Sequence, residues 1–339
     1  MAPWQGWPVT FAHPRVCVVG AGAVGGLIGT RLAVAGIPTS ALARGATADA
    51  LIRHGWRLHE GGHTVTAPCL VAREADELGP HDVVVIAVKA QALSGLAPSL
   101  VPLLGPDTVV VPAMNGVPWW FTHGLDGRLG GVRLDAVDPG GVVARALDPA
   151  AVVGCVVHLS ASTVSPGLSR HGAGNRLVIG DPSRTDPSRM AAIAELLETA
   201  GFEVDRSERI QADVWFKLWG NLTMNPISVL TSATMDAILD DPLIVAFIES
   251  VMREAAEIGA RIGCPIEQSP SDRMAVTRKL GRVRTSMLQD AEAGRSIELD
   301  ALVRAVVELG ALVDVPTPQT STLLGLTRLA ARTRGLYPA

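Results

Sequence analysis

The sequence predicts an α/β chain in two parts, a parallel-sheet half followed by an all-helical half. Three observations carry this. A short apolar run, Val16 to Val19, leads into Gly20-Ala21-Gly22-Ala23-Val24-Gly25 and then into an apolar, small-residue segment, Leu27 to Ala35. Two further apolar runs, Asp82 to Val88 and Thr108 to Pro112, read as buried parallel strands. From Glu208 onward helical periodicity takes over. The division that follows is an N-terminal extension over 1–14, a Rossmann-type dinucleotide-binding domain over 15–205, and an all-helical substrate and catalytic domain over 206–339. The active cleft is expected between the two halves.

Taken in order, residues 1–14 hold three prolines and two tryptophans, without the basic start and continuous apolar core of a signal peptide. Strand, glycine turn and helix come next. Gly20 permits the tight turn, Gly22 lets backbone approach a pyrophosphate, and Gly25 lets helix and strand pack closely. The helix start at Ala23 and Val24 then offers unpaired N–H groups to the phosphates. Pro38 to Ala43 reads as the second strand. Its end decides the cofactor, because an acidic residue there would bind the ribose 2′-hydroxyl of NAD. The chain has Ala43-Arg44-Gly45 and no carboxylate until Asp49. Arg44 suits a 2′-phosphate, through two parallel hydrogen bonds and stacking on adenine, which favours NADP(H).

Trp56 to Glu60 and His63 to Val71 read as two extra strands, and Glu74 to Leu78 as a short helix. Lys89 stands at the carboxyl end of the Asp82 to Val88 strand, the edge that faces the ligand crevice in open α/β sheets. Two readings of it stand, a cofactor or substrate contact and a solvated strand-end lysine. Ala90 to Leu104 reads as a crossover helix, limited by Pro98 and Pro102. Asn115 follows the next strand and precedes Gly116. It reads either as a ligand-binding amide or as plain turn chemistry. Trp119-Trp120-Phe121 reads as a pocket wall or as core packing. Val152 to Ser160, Leu177 to Gly180 and Phe202 to Val204 are expected strands, and Met190 to Ala200 a helix. The helical half is expected over 209–225, 241–263, 270–293, 297–313 and 317–333.

Composition narrows the partners. With 48% hydrophobic residues a sizeable core is available, and a net charge of −4 offers no electrostatic case for nucleic acid or an anionic membrane. No run reaches the ~18 apolar residues of a membrane span. Cys17, Cys69, Cys155 and Cys264 form no CxxC pair, which fits a reducing, cytoplasmic setting without zinc or structural disulfides. No metal site is expected. There is no GxSxG elbow, P-loop or HExxH pair.

The densest chemical stretch is Trp215 to Pro226, WFKLWGNLTMNP. Lys217, Asn221 and Asn225 stand four apart, so each is offset from the last by only ~40° around a helix and the three line one face. Pro226 is expected to kink or end that helix. A lysine and two amides among Trp215, Phe216, Leu218, Trp219, Leu222 and Met224 is not a solvated face. It reads as a site, or as amides bridging helices with a snorkelling lysine. Ser286 and Asp290 share a helix face in SMLQD. Ser286 suits a carboxylate, and Asp290 either orients that contact or pairs with Arg282, Arg284 or Arg295. A helix is expected to begin at Ser296, with Glu298 in its first turn.

These stretches together resemble the ketopantoate reductase family. The matching pieces are GAGAVGG, Val88-Lys89-Ala90, Asn115-Gly116, Lys217-Leu218-Trp219-Gly220-Asn221 with Asn225-Pro226, SMLQD, Ile297-Glu298-Leu299-Asp300 and Val315-Pro316-Thr317-Pro318. They occur in the family's order over nearly the whole chain after residue 14. The resemblance implies a Rossmann domain followed by a helical domain, NADPH as donor, and reduction of a 2-keto acid to a 2-hydroxy acid. Pantothenate biosynthesis is the implied setting. It implies Lys217 as general acid, Asn115 and Asn221 positioning cofactor and substrate, Glu298 holding a substrate hydroxyl, and Ser286 on the carboxylate side. Lys89 and Asn225 match site positions, and Arg44 matches a reader of the 2′-phosphate. The chain departs from the pattern at Val303-Arg304, where the family often has Asn-Gly, and in its double tryptophan. The partner expected is a small carbonyl compound, with a homodimer compatible with the apolar helical half. Reduction of another ketone or imine, and a non-catalytic NADP-binding sensor, stay as alternatives.

Overall fold

The computed structural model describes residues 14–338. The extension expected over 1–14 therefore lies, apart from Pro14, outside the described residues. The chain forms two compact units. One holds the residues up to Met114 together with Gly141–Ile210, and the other holds Asn115–Gly140 together with the chain from Gln211 on. This differs from a single division near 205, because residues 115–140 group with the helical half.

In the first unit, β1 (Val16–Val19) is wholly buried, as its unbroken VCVV demands. It is followed by α1 (Ala23–Val34), β2 (Thr39–Leu42) and α2 (Gly45–His54). Next come β3 (Trp56–Glu60), β4 (His63–Ala67) and β5 (Leu70–Ala72). The single strand expected over 63–71 is thus two. Pro68 lacks the N–H a ladder needs, and the chain there passes from one sheet to another, β4 pairing with β3 and β5 with β2. After β6 (His81–Ile86), the expected helix 90–104 is α3 (Ala90–Leu96) and then a 3₁₀ stretch carrying both prolines. β7 (Leu104–Pro112) completes a parallel sheet in the order β5-β2-β1-β6-β7.

The remainder of this unit is α4 (Val142–Ala146), β8 (Gly154–His158), β9 (Ala161–Ser165), β10 (Leu168–His171), β11 (Arg176–Gly180), α5 (Pro187–Thr199) and β12 (Glu203–Arg206). The β9–β10 hairpin, absent from the sequence reading, joins a second sheet ordered β4-β3-β10-β9. A third is ordered β12-β11-β8.

The second unit is helical. It contains α6 (Ile210–Thr231), α7 (Met235–Asp240), α8 (Pro242–Arg261), α9 (Pro270–Arg278) and α10 (Ser286–Glu292). A π-helical turn, Asp300–Arg304, runs into α11 (Ala305–Leu312), and α12 (Pro318–Thr333) follows. Three expectations are corrected here. The helix does not stop at Pro226 but carries through it to Thr231, with the Ser228 hydroxyl donating to the Asn225 carbonyl at 2.7 Å beside the proline. The helix expected over 270–293 is two, because Gly281 takes a left-handed φ of 69° and Thr285 caps a new start at α10. The helical run expected to begin at Ser296 begins at Leu299, so Glu298 precedes it.

The core of the helical unit is built on aromatics. Trp119, Trp120 and Phe121 are buried, and the Phe121 ring lies 6.0 Å from that of Trp215. The double tryptophan is thus buried within this unit. The indole N–H groups of Trp215 and Trp219 donate to the Ala255 and Met252 carbonyls of α8 at 3.1 and 2.8 Å. Residues 115–140 are tied to the same unit by long-range bonds. Gln211 donates to the His123 carbonyl at 2.7 Å, and Glu308 on α11 accepts from the backbone of Asp135 and Ala136.

Candidate active site

The nucleotide-facing edge of the first unit follows from strand order. β1 pairs with β2 on one side and with β6 on the other, so the carboxyl ends of β1 and β6 flank the point where the order reverses. Gly20 leaves β1 at a φ of 89°, and a Cβ there would lie 2.6 Å from Val88 Cγ1. A Cβ at Gly25 would lie 2.1 Å from the Gly20 carbonyl oxygen, so the third glycine is what lets α1 close on the turn. Gly22 faces open space within 4 Å and no side chain caps the helix there. The first N–H groups of α1, at Ala23 and Val24, are thus presented beside a bare Cα, which is the cradle a pyrophosphate requires. The residues fit a dinucleotide.

Two side chains follow the strands on either side of β1. Arg44 is exposed at the end of β2, where it precedes α2, and Lys89 precedes α3 after β6. A contact to the glycine turn itself was not legible in the sequence. The Ser169 hydroxyl donates to the Gly22 carbonyl at 3.0 Å, and it fits because Gly26 has no side chain. Ser169 sits on β10, in the hairpin that the sequence reading lacked.

The second unit assembles the candidate acid. The Lys217 ammonium donates to Asn115 Oδ1 at 2.8 Å. Lys217, Asn221 and Asn225 lie on the unbroken α6, with Asn225 buried and the other two partly exposed. The two residues after Asn115 dock on the π turn. In an α-helix the Ala305 N–H would bond the Ala301 carbonyl; here it bonds Asp300, one residue further back. The Ala301 carbonyl instead accepts from the Val117 N–H at 2.8 Å. Gly116 packs against the same turn at a φ of 82°, where a Cβ would lie 2.7 Å from Ala301. Glu298 is 7% exposed and stands immediately before this run. The π turn therefore puts the Asn115 loop against the segment that carries Glu298. No apolar periodicity announces such a turn.

Ser286 is exposed at the start of α10. Thr285 anchors that start, its hydroxyl 2.6 Å from Ser228 Oγ on α6. Asp290 answers Arg295, at 2.9–3.0 Å from its guanidinium, so its pairing reading holds. The Tyr337 hydroxyl donates to Asp300 at 2.6 Å, and burial with that bond pushes its pKa up to about 12.

One charged group on this unit was missed. Arg273 on α9 lies with its guanidinium carbon 4.9 Å from the centre of the Phe216 ring, against Gly220 of α6.

Comparison with known proteins agrees with these parts. The family model for "Ketopantoate reductase PanE/ApbA" matches residues 16–125, and that for its C-terminal part matches residues 209–331. The chain is 43% identical over 324 residues to a 2-dehydropantoate 2-reductase of Mesorhizobium japonicum, covering 95% of this chain and 99% of that one. Among solved structures, a candidate ketopantoate reductase from Ralstonia solanacearum MolK2 superposes with a TM-score of 0.93 at 57% identity, over 96% of this chain and 100% of the other. A 2-dehydropantoate 2-reductase from Methylococcus capsulatus gives 0.80 at 26% identity, over 94% and 97%. With the glycine turn, the helical unit and the lysine–asparagine pair in place, the chain belongs to the ketopantoate reductase family, oxidoreductases acting on CH–OH groups.

Proposed function

We propose that the protein reduces a 2-keto acid, ketopantoate or a close relative, to the 2-hydroxy acid with NADPH as donor. The observation that carries this is the Lys217–Asn115 hydrogen bond on the helix that also bears Asn221 and Asn225. NADPH, when bound, supplies the hydride. Gly20, Gly22, Ala23, Val24 and Gly25 would hold its pyrophosphate and Arg44 its 2′-phosphate, with Lys89 and Asn115 as further candidate contacts. Reduction of the carbonyl carbon leaves an alkoxide, which needs positive charge and then a proton beside it. Lys217 supplies both, and the O–H bond of the product forms as its N–H bond breaks. Asn115 aims the ammonium. Asn221, Asn225 and Ser286 orient the substrate, and Glu298 accepts from a substrate hydroxyl.

The relatives named 2-dehydropantoate 2-reductase support this choice of substrate. The test is a panel assay following NADPH absorbance with ketopantoate, other branched 2-keto acids, neutral ketones and cyclic imines. Turnover of a 2-keto acid, faster with NADPH than with NADH, is expected. Tight NADPH binding without turnover of any 2-keto acid overturns the reading.

A further inference from the structure

We propose that Arg273 is a specificity residue that binds the carboxylate of the substrate beside Lys217. The proposal rests on the 2-keto acid reading and names the group that selects acids over neutral carbonyls.

The placement is unusual for an arginine. Its guanidinium lies over the Phe216 ring and against Gly220, where a Cβ would come within 2.7 Å of Nη2 and 3.0 Å of Nε. Glycine at 220 is thus what admits the guanidinium to the surface of α6. Phe216 and Gly220 bracket Lys217 in sequence. At ~100° and ~1.5 Å per residue, Gly220 is ~60° around the helix from Lys217 and less than one turn along it. Arg273, on α9, therefore packs on the same turn of α6 that carries Lys217.

Among the described residues no carboxylate pairs with that charge; only the Phe216 ring faces it. Nε is buried without a hydrogen-bond partner. Burial alone depresses the group's pKa, with no carboxylate among its causes. A buried donor left unmade is costly, and a desolvated guanidinium more so, unless a ligand completes it. Other arginines of this unit do reach carboxylates, as Arg278 does with Asp240 and Arg295 with Asp290. In a 2-keto acid the carboxylate carbon is one bond from the carbonyl carbon. An anion-binding group must then stand near the proton donor, and Arg273 is seated on the turn of α6 that carries Lys217. Ser286 adds a hydroxyl but no charge, so it cannot neutralise a carboxylate. Guanidinium offers a rigid fork that matches a carboxylate's two oxygens.

The experiment compares a 2-keto acid that the wild-type protein reduces with the methyl ester of the same acid. The readout is the ratio of their kcat/KM values in wild type, Arg273→Met, Arg273→Lys and Gly220→Ala. Arg273→Met is expected to lower the acid-to-ester ratio on the order of 10- to 100-fold, mostly through KM for the acid. Arg273→Lys is expected to recover part of it, because a point charge replaces a fork. Gly220→Ala keeps the charge but displaces it, and should lower the ratio in the same direction. A purely structural role for Arg273 would lower both substrates together. A ratio unmoved in Arg273→Met and Gly220→Ala, with the wild type still reducing the acid, overturns this proposal and leaves the reductase reading standing. A wild type that reduces no 2-keto acid overturns both. Should Arg273→Met fail to fold, Gly220→Ala and Arg273→Lys decide.

Discussion

The ammonium of Lys217 rests on the side-chain oxygen of Asn115, 2.8 Å away and 102 positions distant in sequence. Each partner is held from behind by a different device. Lys217 is on a helix fastened to α8 by the indoles of Trp215 and Trp219. Asn115 is in a loop whose next two residues dock on the π turn. An amide oxygen orients an ammonium without cancelling its charge, whereas a carboxylate would do both. The pair thus orients the ammonium as the proposed proton-donor role requires.

Lys217→Ala should retain NADPH binding and lose most turnover. General acid catalysis contributes ~10²- to 10⁴-fold, and kcat should fall by about that factor. Asn115→Ala should lower kcat less, since the lysine stays but is no longer aimed. Stopped-flow turnover with a fluorescence titration of NADPH separates the two effects. Unchanged turnover in Lys217→Ala removes it from the mechanism.

Gly116→Ala tests the docking of the Asn115 loop. At a φ of 82°, with Ala301 atoms 2.7 Å from the added Cβ, the substitution is both strained and crowded. A cost of roughly 1–3 kcal/mol is expected, with kcat reduced as Asn115 shifts. Gly62→Ala is the control. It has a similar φ of 83° but open space within 4 Å, so it should lower Tm without lowering kcat. Equal loss of kcat in both would show that the Gly116 effect is global.

The parts legible in the sequence are those with a local pattern. The buried VCVV run before Gly20 and the four-residue spacing of Lys217, Asn221 and Asn225 each state their geometry within a dozen residues. The parts not legible depend on distant partners. The Gly-rich 115–140 segment has little periodicity, and its place in the helical unit is set by Gln211 and Glu308. The π turn is written nowhere in the apolar pattern of 297–313; its freed Ala301 carbonyl is taken by Val117, far away in sequence. Pro226 shows a local rule overruled, since the buried residues on both sides of it keep the helix going. Arg273 reads in sequence as an ordinary helix cation, and only its seat on Gly220 sets it apart.

On the proposed reading, Arg44 carries the preference for NADPH. It is exposed at the end of β2, with α2 beginning at Gly45. A two-pronged contact with a 2′-phosphate is worth on the order of 10- to 100-fold in affinity. Arg44→Ala should raise KM for NADPH by about that factor and leave KM for NADH nearly where it was. An NADPH-to-NADH ratio of kcat/KM equal to wild type would show that another residue reads the phosphate.

Asp181 supplies a pH dependence in the first unit. Its side chain follows β11 and accepts from the backbone of Ser183, Thr185 and Asp186 and from the Ser183 hydroxyl, at 2.8–2.9 Å. Burial alone would push its pKa up. The Asp186 amide, the Ser183 hydroxyl and amide and the Thr185 amide outweigh that, and the carboxyl sits below its ordinary value. A carboxyl depressed in the folded state stabilises the fold above its unfolded pKa of ~3.9, and that contribution disappears as pH falls through the folded value. Asp181→Asn turns an amide NH₂ toward N–H donors and removes the charge. At pH 7 it should cost roughly 1–3 kcal/mol. Urea melts of wild type and variant should converge as pH drops below about 4, because protonation removes from the wild type what the substitution already removed. A stability gap that stays constant from pH 7 to pH 3 would show that the Asp181 charge contributes nothing to the fold.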